Sequence, residues 1–502
     1  MGVSRMGHPR LERARRFPRI IKTMQPALDR GSFLLVHTTS RAMTTTPEFS
    51  SSDPSRRGFL RKSAVGVGLA SMGAWSSPWE NLVQAARKNS RKNSRKKKPK
   101  VAAVFTVFNH RSHAHVLLEN FLEPYLFNGR VVHPEVDVVS FYADQTCEED
   151  MAPSVAKQYG IPLYKSIDEA LCLGGDALAV DAVLAIGEHG DYPLNKLGQR
   201  EYPRKRFFDE IVRVMKRSGR FAPLFNDKHL SYRWDWAKEM FDTARELGIP
   251  FMAGSSVPLA QRRPPLELPA DCQIDEAVSI HGGGVESYDF HSLEVLQSMV
   301  EARRGGETGI DSVEFLTGDP LWQAARDGRW SRSLADAAMR AEMGKRFESL
   351  ETVGDVPPHG LLLRYRDGLK ATVLKLGDSG TRWNFACRLR GEKQPRATSF
   401  YTGPWRNRNL FKALAHAIQH HFIHGKSPYP IKRTLLTTGA LEAAMQSRQQ
   451  GGPIEPKHLA FSYPAQDYRA MREMGASWKI IREGMEPPQG VNPGTPKELL
   501  GK

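Results

Sequence analysis

The side chains with the most chemistry to offer fall just after apolar runs. Asn109, His110 and His113 follow Val101–Phe105, and Asp144 follows Val136–Tyr142. Glu188, His189 and Asp191 come after Val180–Ile186, and Asn226, Asp227, Lys228 and His229 come after Phe221–Phe225. Ser255 and Ser256 follow Pro250–Ala253. Carboxylates, imidazoles and an amine are the groups of general acid–base catalysis, so this set points to proton transfer, with Lys228 the first candidate. His189, His229, His281 and His291 with Glu188, Asp191 and Asp227 are also the ligand types of a zinc or manganese centre. No His-x-His or His-Glu-x-x-His spacing selects among them, and no metal is expected. The run His416, His420, His421 and His424 reads as an amphipathic helix whose histidines are mostly exposed.

The elements that must position these residues alternate. Apolar runs of strand length are separated by helical patterns over His115–Leu126, Met151–Tyr159, Ile167–Leu171, Phe207–Lys216 and Trp234–Leu247. Such alternation predicts a doubly wound parallel sheet, which binds ligands beyond the carboxyl ends of its strands. All the candidate residues named first then share one rim. The second half has a different texture, with strands over Ala277–Ile280 and Leu361–Lys375 and helices over His291–Arg303, Leu410–Phe422 and Leu435–Ser447. Leu361, Leu363 and Tyr365 alternate with Leu362, Arg364 and Arg366, as in an antiparallel sheet with one wet face. The expected fold class is α/β followed by an α+β domain with a mainly antiparallel sheet. The expected division is a leader and linker over 1–99, the parallel domain over 100–262, the α+β domain over 263–450, and a proline-rich extended tail over 451–502.

The charge is as uneven as the texture. The chain has 502 residues and a formal net charge of +17. Residues 1–100 hold 22 Lys or Arg against five Asp or Glu, which is the whole excess; the other 402 residues carry 50 of each sign. A neutral body lacks the basic face that a nucleic-acid-binding domain needs, so that function is excluded. Within the leader, Ser55-Arg56-Arg57-Gly58-Phe59-Leu60-Arg61 is a twin-arginine export motif, followed by the apolar run Ala64–Trp75. The expected partner is the twin-arginine translocase, and the expected location periplasmic or otherwise extracytoplasmic, with an anchor if the signal is not cleaved. Residues 1–42 lie upstream of a normal signal, and Met43 is the expected start. Arg87–Lys100 has the composition of a solvated tether. The four cysteines are far apart and form no Cys-x-x-Cys pair.

Several segments then fall into a familiar order. Pro134-Glu135-Val136-Asp137-Val138-Val139 with Ala143-Asp144 is followed by Gly160-Ile161-Pro162-Leu163-Tyr164 and Asp168-Glu169-Ala170-Leu171, then by Val180-Asp181-Ala182-Val183. Asn226-Asp227-Lys228 and Gly248-Ile249-Pro250-Phe251-Met252-Ala253-Gly254 come next. Gly282-Gly283-Gly284-Val285 then leads to His291-Ser292-Leu293-Glu294. This order resembles the Gfo/Idh/MocA family of nicotinamide-dependent sugar and polyol dehydrogenases, over roughly Lys100–Gly451. The resemblance implies a Rossmann-like first domain, NAD or NADP as cofactor, a carbohydrate-like substrate and a homo-oligomer formed through open sheet faces. It implies that Lys228 binds the substrate hydroxyl and assists proton movement. His291 would take the hydroxyl proton, with Glu286, Tyr288 or Asp289 in the acid slot before it. Cofactor contacts would fall to Asn109, Arg111, Ser112, Asp144, Glu188, His189 and Asp227.

One departure stands out. The family's first strand ends in Gly-x-Gly-x-x-Gly, where absent side chains let pyrophosphate reach the backbone at a helix N-terminus. Here the turn is Thr106-Val107-Phe108-Asn109-His110-Arg111-Ser112-His113, without a glycine. Two functions are therefore expected. One is an exported oxidoreductase acting on a sugar or polyol with a nicotinamide cofactor. The other is a non-redox carbohydrate-binding protein, lyase or hydrolase on the same fold that has lost dinucleotide binding. If Phe108 fills the crevice beside Asp144, the redox reading fails in its ordinary form.

Overall fold

In the computed structural model, residues 97–491 are described, save Asp355 and Gln489; the twin-arginine motif and its apolar run lie outside the described residues. The first half comprises β1 (Lys100–Phe105), α1 (His113–Leu122), β2 (Tyr125–Phe127), β3 (Arg130–Val132), β4 (Asp137–Ala143), α2 (Ala152–Tyr159), β5 (Leu163–Tyr164) and α3 (Ile167–Cys172). It continues through β6 (Ala182–Ile186), α4 (Arg204–Ser218), β7 (Leu224–Asp227), α5 (Trp234–Glu246) and β8 (Phe251–Gly254). Six strands form a parallel sheet in the order β5-β4-β1-β6-β7-β8. Counted by themselves along the chain they run 3-2-1-4-5-6, the doubly wound order, and the expected fold class holds. Alternation along β1 shows why both faces carry helices. Val101, Ala103 and Phe105 pack with Val116, Leu117 and Phe121 of α1, while Ala102 and Val104 pack with Leu171, Ile211 and Met215 on the other side.

The helix expected over His115–Leu126 is displaced. Ser112 caps its start, its hydroxyl accepting the His115 N–H at 3.3 Å. Pro124 disfavours helical backbone at Glu123 and stops it at Leu122. Tyr125–Phe127 instead forms a hairpin with Arg130–Val132 through Asn128-Gly129, both at positive φ (49° and 74°), as a primed two-residue turn requires.

The second half comprises β9 (Gln261–Arg263), β10 (Ile274–His281), α6 (Ser287–Val300), β11 (Ile310–Thr317), α7 (Asp319–Arg326), α8 (Arg332–Met343), β12 (His359–Tyr365), β13 (Lys370–Lys375), β14 (Trp383–Leu389), β15 (Arg396–Tyr401), α9 (Asn407–His424) and α10 (Ile431–Gln450). Its sheet runs β11-β12-β13-β10-β14-β15-β9, antiparallel except where β10 meets β13. The wet face expected of Leu361–Lys375 is largely covered. Leu362 and Leu374 are buried under Leu321, Leu334 and Met339 of α7 and α8, leaving Arg364 and Arg366 exposed at one end. The face is therefore not open.

α9 and α10 belong as much to the first sheet as to the second. Arg408 of α9 pairs with Glu119 of α1 at 2.7 Å, and Thr434 of α10 donates to the Ala253 carbonyl of β8 at 3.1 Å. The histidines of α9 are not mostly exposed, which corrects that expectation. His421 is buried and its Nε2 lies 3.3 Å from the Leu224 carbonyl, while His416 stacks on Phe127 at 4.1 Å between centroids. The described part of the tail packs back on the body, Ile454 pairing with Val313 of β11, with Leu459, Tyr463, Tyr468 and Ile481 buried.

Candidate functional site

The loops after β6 and β7 and the start of α6 bring the proton-handling groups together. β7 runs through Asp227, so Lys228 is the first residue beyond the strand, still bridged to Gly254 of β8. Asn226 turns its side chain onto the Asp227 and His229 carbonyls at 3.2 and 3.1 Å, folding the loop so that Lys228 takes φ 65°. His189 (φ 72°) and Glu286 (φ 71°) share this left-handed backbone. For a residue with a side chain that conformation costs about 1–3 kcal/mol, and it concentrates where function over-determines the backbone. Here it recurs on three separate segments around one cluster.

The cluster is a chain of buried ionisable groups. Lys228 Nζ lies 3.1 Å from Glu188 Oε1 and 3.5 Å from the Ser287 hydroxyl. Glu188 also accepts from Arg204 of α4, whose other terminal nitrogen lies 3.0 Å from His229 Nε2. His229 Nε2 is in turn 3.4 Å from Glu286 Oε1. Beside this chain His113 Nδ1 meets Asp227 at 2.5 Å, the His113 amide donates to His189 Nδ1 at 3.4 Å, and His291 Nδ1 meets the Ser255 hydroxyl at 2.6 Å. Glu188, Lys228, His229, Glu286 and His291 are all between 1% and 7% exposed.

Burial and neighbouring charge set the protonation states. Burial opposes the Glu188 carboxylate, but Lys228, Arg204, His113 and His189 outweigh it and hold its pKa well below the usual range. Burial, reinforced by Arg204, pushes His229 well below an ordinary histidine; burial, Lys228 and His113 do the same to His291. Burial and then His113 bring His189 to about 4. Glu286 moves the other way, to about 7, through burial and the Glu188 charge. The result is a neutral His189, His229 and His291 around a Lys–Glu–Arg core, with one carboxyl poised near neutrality.

Asp289 lies on the other side of the α6 start and is fully buried. Its Oδ1 faces His281 Nε2 at 3.0 Å and His359 Nε2 at 2.8 Å, and its Oδ2 accepts the Glu286 amide at 2.7 Å. These three side chains could in principle gather a cation. His281 Nδ1, however, accepts the Gly283 N–H at 3.3 Å, so its Nε2 carries the proton and donates. A ligating histidine needs the reverse, with the remote nitrogen as donor. The triad is therefore a hydrogen-bonded carboxylate that holds the start of α6.

The residues expected to contact a dinucleotide divide. Glu188, His189 and Asp227 belong to the Lys228 cluster. Ser112 caps α1, the Arg111 amide donates to His115 Nδ1 at 2.8 Å, the Arg111 carbonyl accepts from Asn407 at 3.0 Å, and the Asn109 carbonyl takes the Ser112 amide. Asp144 accepts from Tyr142 at 2.8 Å, Tyr192 at 2.6 Å and Arg206 at 2.5 Å. Val107 and Phe108 are buried, Phe108 completely, with its ring edge-on to Phe105 (5.6 Å) and Phe141 (6.3 Å). Gln145 exchanges two hydrogen bonds of 2.8 and 2.9 Å with the Asp191 backbone, tying the end of β4 to the loop after β6 across the end of β1. A Cβ at Gly190 would lie 2.8 Å from Gln145 and 2.9 Å from Tyr192, so this seam is tight. A dinucleotide docked in the ordinary way needs a bare turn and an unpaired acid; these residues do not fit it.

Sequence reasoning missed Arg204, His359 and the Tyr192–Arg206 clamp. His359 shares the inward face of β12 with Leu361 and Leu363, and a histidine in that apolar period is the signal that could have found it. Arg204 sits at a helix start among other basic residues and carries no comparable mark.

No protein-family model and no curated protein matches the chain. Among solved structures it is similar to GenD2 from gentamicin A biosynthesis in complex with NAD, at 14% identity and TM-score 0.48, covering 72% of this chain and 97% of that one. It is also similar to a myo-inositol dehydrogenase from Corynebacterium glutamicum ATCC 13032 (13%, 0.45, 72% and 99%). A third is apo scyllo-inositol dehydrogenase from Lactobacillus casei (10%, 0.44, 72% and 99%). The fold assignment rests on the chain's own sheet order. By its fold and site it is a two-sheet α/β protein with a buried acid–base cluster beyond its parallel strands.

Proposed function

We propose that the protein is a carbohydrate- or polyol-active enzyme of Gfo/Idh/MocA type whose centre is Lys228, working by proton transfer. The observation that carries this reading is the convergence of three left-handed, ionisable residues, His189, Lys228 and Glu286, on one buried cluster at the carboxyl ends of the parallel strands. Lys228, held by Glu188, offers an ammonium to a substrate oxygen and can stabilise negative charge developing there. His291, neutral and oriented by Ser255, is a proton acceptor within the field of Lys228. Low exposure excludes water from both. The closed first-strand seam supports chemistry that needs no dinucleotide in the ordinary position. A second reading, a nicotinamide-dependent sugar or polyol oxidoreductase, is favoured by the presence of Lys228 and His291 in one field, as the family resemblance implies; it requires Thr106–His113 to refold. Export by the twin-arginine route is proposed on the motif at Ser55–Arg61.

The test is to incubate sugars, polyols and sugar acids with the protein in D2O, with and without NAD(P), and follow substrate C–H signals by NMR. Exchange or product formation without cofactor, lost in Lys228→Met, is the expected result. Turnover only with NAD(P) would replace this reading with the second; turnover unchanged in Lys228→Met would overturn the assignment of the centre.

A further inference from the structure

The hydrogen-bond pattern around His229 fixes the state of its neighbour. Arg204 has N–H donors and no acceptor, so at 3.0 Å it must donate to His229 Nε2, which is therefore the unprotonated ring nitrogen. Glu286 Oε1 lies 3.4 Å from the same nitrogen and has no hydrogen-bond partner among the described residues, although it is buried. An ionised Glu286 would aim a carboxylate oxygen at a lone pair. A neutral Glu286 removes that repulsion and, because the Nε2 lone pair is already taken by Arg204, keeps its O–H free for another acceptor.

The rest of the residue agrees. Glu286 is the N-cap of α6, its side chain accepting the Asp289 amide while Asp289 accepts the Glu286 amide. With Oε1 unpartnered, Oε2 is the capping acceptor, and the proton belongs on Oε1. The charged and titratable groups facing it are Glu188 after β6, Lys228 and His229 after β7, Arg204 of α4, Tyr202 just before α4 and Asp289 of α6. Both nearby cations are engaged by Glu188, which leaves Glu286 without one of its own. A Glu N-cap at φ 71° is also a costly way to begin a helix, where Ser, Thr, Asp or Asn at ordinary φ would serve.

We propose that Glu286 is held as a neutral carboxylic acid and is the proton donor of the Lys228 centre. In the step it serves, the Oε1–H bond breaks, the proton passes to a substrate oxygen, and Glu286 is left as a carboxylate that takes a proton from solvent once the product leaves. This rests on the reading of the cluster as an acid–base site, and the tests separate the two. Infrared difference spectra of the free full-length protein against Glu286→Gln, near pH 6, should isolate a protonated-carboxyl C=O band that bleaches as the pH rises through about 7. Glu286→Leu, which likewise carries no carboxyl, provides the same comparison if the Gln variant fails to fold. A difference spectrum showing only ionised carboxylate at pH 6 would overturn the proposal whatever the substrate. In the D2O assay, Glu286→Gln should lose at least ~100-fold in rate, the lower range for a general acid. A neutral Glu286 whose replacement leaves the rate intact would overturn its role as donor but not the centre, whereas an unchanged Lys228→Met would strike the centre itself.

Discussion

Phe108 is where the closed seam can be weighed. If the turn after β1 is core, then Phe108→Ala removes a fully buried ring that meets Phe105 at 5.6 Å, Phe141 at 6.3 Å and His115 at 6.3 Å. Truncating a buried Phe costs about 3–5 kcal/mol, and edge-to-face pairs contribute about 0.5–1.5 kcal/mol each beyond burial. Two such pairs place Phe108→Ala in the upper part of that range. In a turn built to receive phosphate the same position would face a ligand, and truncation would fall within about 0.5 kcal/mol. Guanidinium denaturation followed by tryptophan fluorescence and far-UV circular dichroism measures the difference, coincident transitions licensing a single free energy. A loss under about 1 kcal/mol, or tight NAD(H) binding acquired by Phe108→Ala, would refute the reasoning.

Two further predictions concern buried charge. Arg433→Met, which strands the buried Glu301 carboxylate, should destabilise by about 3–5 kcal/mol, and adding Glu301→Leu should recover most of it; thermal melts of the single and double variants decide. Glu286, with a folded pKa of about 7 against about 4.3 unfolded, makes the folded state bind the extra proton between those values. Its contribution to stability therefore falls as pH rises through that window, by about 2–4 kcal/mol in all. Glu286→Gln should gain stability relative to the parent between pH 5 and 8, and parallel denaturation curves for the two across that range would contradict the assignment.

The parallel sheet was legible because Val101–Phe105, Ala182–Ile186 and Phe251–Ala253 are uninterrupted apolar runs of the kind that burial on both faces explains. The rim of the site was legible for the same reason, since the residue after each run had to lie at the carboxyl edge. Lys228 could thus be named from its position, whereas His291 and Glu286 were named through the family resemblance. What could not be read was pairing across long separations: Arg204 between Glu188 and His229, His359 on Asp289, and Arg206 with Tyr192 on Asp144. Each depends on which loops meet, and no local pattern encodes that. Two errors were local and avoidable. Pro124 with Asn128-Gly129 signals a helix stop and a hairpin, and the buried side of α9 follows from Ala413, Ala417 and Phe422 at helical spacing around His421.

On the proposed reading, this fold carries a proton-transfer centre behind a crevice its own side chains have closed. Calorimetric titration of the full-length protein with NAD(H) and NADP(H), checked by native mass spectrometry, tests it most directly. No saturable heat and no adduct of dinucleotide mass are expected up to ~1 mM, a free energy of roughly −4 kcal/mol at most. A stoichiometric complex with micromolar affinity would contradict this reading, and would mean that the Gln145–Asp191 seam and the Asp144 clamp open to admit the cofactor.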